Sequence, residues 1–253
     1  MRIGAPTEAC LPRLRALWKE AFGDDDAFLD CFYETAFAYA RCRCVTEGDT
    51  LAAALYWFEC TLGGERIAYL YGVATANAFR GKGLCRALME DTHRHLQALG
   101  YRGAVLVPAK LPLVSMYEKM GYRVCSHRCR TTCRAEAAPL LLEELSPMEY
   151  AVARRGRLPM DGVLQEGENL EFLSRQARFY RGDDFLLAAR REDDRLVGIE
   201  LLGSVAPIAA ITHALGCKDG EFLTAGSSCD EPFAMYCGFD GLPAPRYFGF
   251  AFD

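Results

Sequence analysis

The sequence predicts an α+β protein built in two parts, and three observations carry that prediction. An apolar, tyrosine-rich run at 67–75 reads as a strand and meets a glycine-rich turn, Phe79-Arg80-Gly81-Lys82-Gly83-Leu84-Cys85. That turn opens an amphipathic helix, because Leu84, Leu88, Leu96 and Leu99 recur at nearly helical spacing before Gly100. Beyond residue 134 a second series of elements repeats the order of the first, with one strand and the glycine-rich turn missing.

Taken in order, Arg2-Ile3-Gly4 reads as a first strand and Thr7 as an N-cap. Leu11, Leu14, Trp18 and Phe22 share one helical face, which Gly23 ends. Asp24-Asp25-Asp26 places negative charge at the start of a second helix carrying Phe28, Phe32 and Tyr33, as helix capping requires. Strands follow at 41–47 and 51–61, joined by the turn Gly48-Asp49, and Gly63-Gly64 turns the chain into the strand at 67–75. After the long helix come a short buried strand at 103–108, a helix at 111–120, and a strand beyond Gly121-Tyr122-Arg123. The order is β-α-α-β-β-β-α-β-α-β.

Residues 135–139 read as a linker, dividing the chain into domains at 1–134 and 140–253. In the second domain Ser146-Pro147 is an N-cap followed by proline at the first helical position. A helix at 169–180, strands at 185–189 and 196–202, a helix at 207–215, and strands at 221–224 and 247–252 complete the series. Met235-Tyr236 before Gly238-Phe239 echoes Met116-Tyr117 before Gly121-Tyr122.

Composition narrows the class. The chain has 253 residues, 51% hydrophobic and 25% charged, the profile of an ordinary globular protein. No apolar run reaches the ~18–20 residues that span a bilayer, and Met1-Arg2-Ile3-Gly4-Ala5-Pro6 lacks the apolar core of a signal peptide. A cytoplasmic location, away from membranes, is expected. The 12 cysteines are then expected to be thiols. Cys42-x-Cys44 and Cys125, Cys129, Cys133 lack the spacing and histidine partners of a zinc site, so no metal is expected. The net charge of −5, with no basic patch interleaved with aromatics, argues against nucleic acid and favours a cationic partner.

The glycine-rich turn is built to hold an anion. Glycines let backbone N–H groups approach an oxyanion, the first helical turn has unpaired donors and the positive dipole end, and Arg80 and Lys82 add charge. It is not a Walker A loop, since Gly83 follows Lys82, nor a dinucleotide fingerprint, since position 86 is Arg. Arg80, Gly83 and Cys85 fit R-x-x-G-x-(G/A), with Cys as the small last residue. Downstream, Ser115-Met116-Tyr117-Glu118-Lys119-Met120-Gly121-Tyr122 is a helix carrying Y-E-K-x-G-(F/Y). In order and separation the two motifs resemble the GNAT (GCN5-related) N-acetyltransferases over about residues 1–134.

That resemblance implies a central mixed, mostly antiparallel sheet, in tandem with a smaller, degenerate GNAT-like domain that lacks the CoA loop. It implies acetyl-CoA as co-substrate and direct acetyl transfer to a primary amine, on a small molecule or a protein, in a ternary complex. The pantetheine arm would run along the backbone of Val73 and Thr75. The pyrophosphate would sit over Arg80, Gly81, Lys82, Gly83, Leu84 and Cys85. Tyr117 would be the general acid for the departing thiolate, since a phenol's ordinary pKa is close to that of an alkyl thiol. The Val73 N–H would support the oxyanion. Some relatives carry Glu where this chain has Tyr69, so a carboxylate base is lost there, and Tyr69 itself stands as a catalytic candidate. Glu59 or Glu65 acting through water, or Asp253 as a C-terminal carboxylate, are the substitutes. Lys110 replaces an Asn that contacts CoA in many relatives. Cys85 is read as a small packing residue, with a lowered pKa at the helix start as the alternative, and His93 and His95 as solvated. A non-catalytic acyl-CoA-binding, regulatory module is the competing reading.

Overall fold

A computed structural model describes residues 1–252 and divides the chain into two units, each with its own seven-stranded mixed sheet. The first comprises 1–123 together with 235–244, the second 124–234 together with the segment from Pro245 onward.

In the first unit the chain runs β1 (Arg2–Gly4), α1 (Leu11–Phe22), α2 (Asp26–Thr35), β2 (Cys42–Glu47), β3 (Thr50–Leu62) and β4 (Glu65–Thr75). It continues through α3 (Leu84–Ala98), β5 (Gly103–Leu106), α4 (Pro112–Glu118) and β6 (Arg123–Val124). This is the order expected from the sequence. β3 lies between β2 and β4 and is buried on both faces, which is why it reads as a near-continuous apolar run instead of an alternating one. α1 and α2 bury Leu14, Leu17, Trp18, Leu29 and Phe32.

The sixth place in this sheet is filled from far down the chain. β14 (Met235–Gly238) pairs antiparallel with β5, giving the order β1-β2-β3-β4-β5-β14-β6. Gly103 makes the pairing possible, because a Cβ there would lie 2.3 Å from the Tyr236 hydroxyl oxygen. The echo between Met116-Tyr117 and Met235-Tyr236 is therefore not structural: Tyr117 is helical and Tyr236 is in a strand.

The second unit contains β7 (His127–Arg134), β8 (Glu143–Leu145), α5 (Pro147–Arg155), α6 (Glu168–Ser174), β9 (Arg178–Arg181) and β10 (Phe185–Glu192). β11 (Arg195–Gly203), α7 (Ile208–Ala214), β12 (Asp219–Ala225) and β13 (Glu231–Pro232) follow. Read from β8, its sheet is β8-β9-β10-β11-β12-β7-β13. Every pairing direction that can be compared repeats the first sheet, including one parallel step, β4–β5 in the first and β11–β12 in the second. β7, expected to close the first sheet, sits in the second instead, so the units exchange their sixth strands. The boundary at 134 and the missing strand of the second half are both revised by that exchange.

Two further expectations are corrected. The helix expected over 169–180 stops at Ser174, whose carbonyl accepts from Arg178 Nη1 at 2.9 Å, and the chain turns into β9. The stretch 247–252 is not a strand; a single bridge joins Tyr247 to Gly162. That segment is clamped by side chains. Tyr247 donates to the buried Glu200 (2.8 Å), and Gln165 accepts from the N–H groups of Gly249 and Phe250. Glu200 also takes two bonds from Arg154, both 2.8 Å, and one from Tyr150 at 2.7 Å. Burial alone would raise its carboxyl, but Arg154 and these donors hold it below the usual carboxylate range.

Candidate functional site

The site is set by a defect in β4. Leu55 of β3 faces two β4 residues, Gly72 and Val73, because the register shifts between the pairs Tyr56–Tyr71 and Ala54–Ala74. Gly72 takes φ +58, and a Cβ there would lie 2.7 Å from the Trp18 ring and 3.0 Å from Tyr56. Only glycine fits that bulge. On the other side, β4 pairs with β5 only through Ala68, Tyr69 and Leu70. The β5 register ends at Leu70–Leu106, and Gly72 to Thr75 lie beyond it. Val73, half-buried, is in neither register, and Thr75 is half-buried at the strand's end. These are the two residues expected to present backbone to a pantetheine arm.

The chain leaves β4 through Ala76, whose N–H donates to Ala52 O at 2.9 Å, and makes one 3-10 turn, Asn77–Phe79. Arg80 is extended and its Nε donates to the Thr75 carbonyl (3.1 Å). Gly81 and Gly83 take φ +75 and +78, and Gly83 is the N-cap of α3. Nothing lies within 4 Å of a Cβ built at either glycine, so their requirement is the left-handed backbone and the open space beyond it. Gly81, Lys82 and Gly83 are exposed, with the Lys82 ammonium 4.8 Å from the centre of the Phe79 ring. Leu84 is buried and anchors the 15-residue α3, whose first-turn N–H groups remain unpaired within the helix. Burial pushes the Cys85 thiol up, opposite to activation at a helix start, which supports the packing reading.

Tyr117 projects from α4 and is 5% exposed. Burial raises its phenol, with the nearby Cys85 adding to the shift, so it stays protonated at neutral pH. Its ring meets Tyr122 edge-on at 5.9 Å, and the Tyr122 hydroxyl is 2.8 Å from His93 Nε2. His93, expected in solvent, is partly buried against Tyr122 and Phe239, and burial lowers its pKa to about 4. His95 likewise meets Trp57 edge-on instead of standing free.

The remaining candidates lie elsewhere. Tyr69 is 1% exposed and stacks on Phe58 within an aromatic core that includes Tyr71, which makes it a packing residue. Glu59 pairs with Ala68 and Glu65 with Leu62, toward the hairpin end of β3–β4. At ~3.3 Å per residue, Ala68 is roughly 16 Å from Val73. Glu59 accepts from Arg66 (2.7 Å) and Tyr101 (3.0 Å), and the Arg66 hydrogen bond holds its carboxyl below the ordinary range. Neither glutamate is placed to act at the bulge. Lys110 is exposed in the turn before α4. Asp253 lies outside the described residues. Asp25 caps α2 through the Phe28 N–H (2.8 Å), Asp24 accepts from Trp18 Nε1 (2.7 Å), and Asp26 pairs with Lys19 (2.6 Å). Among the described residues no group of three or more His, Cys, Asp or Glu side chains could hold a metal, and no helix is long and apolar enough to cross a membrane.

Sequence reasoning passed over the bulge. An isolated glycine inside a strand pattern is its signal, and Gly72 supplied it.

A bulged strand, a glycine turn at a helix start and a following tyrosine helix stand here in the order expected of the GNAT fold. Residues 2–125, just under half of the chain, match the family model for the acetyltransferase (GNAT) domain. The match ends before β14, the strand that completes the sheet. No curated protein matches by sequence. Among solved structures, a GCN5-related N-acetyltransferase from Kribbella flavida aligns with a TM-score of 0.69 at 18% identity, covering 93% of this chain and 70% of its own. One from Anabaena variabilis ATCC 29413 aligns with a TM-score of 0.69 at 16% identity, over 93% and 72%. Eis1 from Mycobacterium abscessus does so with 0.69 at 13% identity, over 95% and 74%. At these identities the likeness is one of fold, and it extends over both units: the chain is a GNAT fold in tandem.

Proposed function

We propose that this protein is an acetyl-CoA-dependent N-acetyltransferase that moves the acetyl group directly to a primary amine, and that its first unit performs the chemistry. The observation that carries the proposal is the continuity of bulge, turn and helix start. Backbone at Val73 and Thr75 is free of a β5 ladder, and five residues beyond Thr75 begins a cationic loop with two left-handed glycines. An arm that hydrogen-bonds like an added strand and ends in a pyrophosphate fits that path. Acetyl-CoA would supply the activated thioester.

The residues divide the work as follows. The N–H groups of 81–85, with Arg80 and Lys82, hold the pyrophosphate. The Val73 N–H faces the carbonyl oxygen that gains charge as the amine adds. The Tyr117 hydroxyl, kept protonated by burial, gives its proton to the sulfur as the carbon–sulfur bond breaks. The amine arrives neutral and loses its proton to water, since no carboxylate of the described residues named above reaches the bulge.

The second unit has the same parallel step, but its crossover is built differently. Gly203-Ser204-Val205-Ala206-Pro207 leads into the seven-residue α7, with proline at the cap and no cationic glycine pair. Acetyl-CoA binding is thereby assigned to the first unit. The variant Gly83→Glu forces a side chain into a left-handed position and puts a carboxylate on the anion site, and it should abolish acetyl-CoA binding in a calorimetric titration. Binding undiminished by that change would place the cofactor elsewhere.

A further inference from the structure

α1 reaches both features on which the proposed cofactor site depends. Trp18 lies against Gly72 at the bulge. Two residues later, Glu20 Oε1 accepts from the backbone N–H of Asn77 at 2.7 Å. Asn77 opens the 3-10 turn that hands the chain to Arg80, and Arg80 is tied back to the Thr75 carbonyl. The segment joining β4 to the glycine turn is therefore sewn to α1 on one side and to β4 on the other.

Glu20 is exposed, so nothing about burial obliges it to find a partner. Its charge opposes an approaching pyrophosphate, so recruitment of the anion does not explain it either. What it supplies is a short, charge-assisted hydrogen bond to one backbone donor.

We propose that Glu20 is a positioning residue for the acyl-CoA loop. By fixing residues 77–80 it aims the N–H groups of 81–85 at one point, and by sharing α1 with Trp18 it couples that aim to the bulge. The role rests on the acetyl-CoA reading above.

Three proteins separate the possibilities: wild type, Glu20→Ala and Glu20→Gln. Each is titrated with acetyl-CoA by calorimetry and with acetyl-pantetheine, which lacks the pyrophosphate, by NMR. Amide exchange of residues 77–83 is followed without ligand. Glu20→Ala should bind acetyl-CoA about fivefold more weakly, the net worth of one exposed hydrogen bond. It should bind acetyl-pantetheine as wild type does and exchange faster at Asn77 and through the loop. Glu20→Gln keeps the accepting oxygen and removes the charge, so it should bind at least as tightly as wild type, with normal exchange.

Equal weakening toward both ligands, no weakening in Glu20→Ala, or a Gln variant as weak as the Ala variant would each overturn the role. Exchange tells the two failures apart. Faster exchange in Glu20→Ala, with no acetyl-CoA binding by wild type, overturns the cofactor reading and the role with it. Unchanged exchange with intact binding overturns the Glu20 contact alone.

Discussion

Tyr117 is a packed side chain from which the proposed mechanism also asks chemistry. Its ring is packed against Tyr122, which is itself held by His93, while burial keeps the hydroxyl protonated. Phenylalanine preserves the ring and removes only the proton. Tyr117→Phe should therefore lower turnover by about 10²-fold, the usual worth of a positioned acid, and leave acetyl-CoA affinity unchanged. Steady-state rates beside a binding titration check this, and an unchanged rate removes Tyr117 from the mechanism. Tyr117 was legible because it stands inside a motif. The environment of His93 was not: its partners come from Tyr122 and from Phe239 in the C-terminal segment, and helical spacing cannot say what will pack there. The burial of Tyr69 was illegible for the same reason, since a strand's alternation names a face without saying whether that face meets solvent.

At the scale of elements, the bulge in β4 does more for the site than any single charge. It gives two residues to one on the facing strand and releases Val73 from the ladder. The second unit has the same device, an extra residue at Ile199 between the pairs Ala188–Glu200 and Ala189–Gly198. In the first unit the bulge is fixed by Trp18 over Gly72. Gly72→Ala would add a strained left-handed residue and a clash with that ring, costing about 2–4 kcal/mol of stability. Urea unfolding measures that loss; a variant as stable as wild type would mean the bulge tolerates a side chain. The glycine turn and the helix after it were fully legible, because glycines with φ above zero and a leucine periodicity are local properties. The bulge was half legible, its glycine visible and its tryptophan partner not. Glu20 was illegible, since its contact to Asn77 joins residues 57 apart.

Across the whole molecule, the element order of the first unit was legible, and so was the recurrence of that order in the second. The exchange of β7 and β14 between sheets was not. Short strands such as Met235–Gly238 carry too few residues for a pattern to specify a partner, and the choice rests on space left by Gly103 beside Tyr236. The exchange means that the sheet carrying the glycine turn is finished only after the second unit's strands have been made. The two units keep one plan and differ at the crossover, which ends in a cationic glycine turn in the first and in proline in the second. The proposed reaction is acetyl transfer to an amine by the first unit, through that turn. It is tested most directly by measuring free thiol released from acetyl-CoA across a panel of primary amines, with wild type and Gly83→Glu side by side. Thiol release is expected with at least one amine in wild type and with none in the variant. No release with any amine, while acetyl-CoA still binds, would contradict it and identify an acyl-CoA-binding module instead.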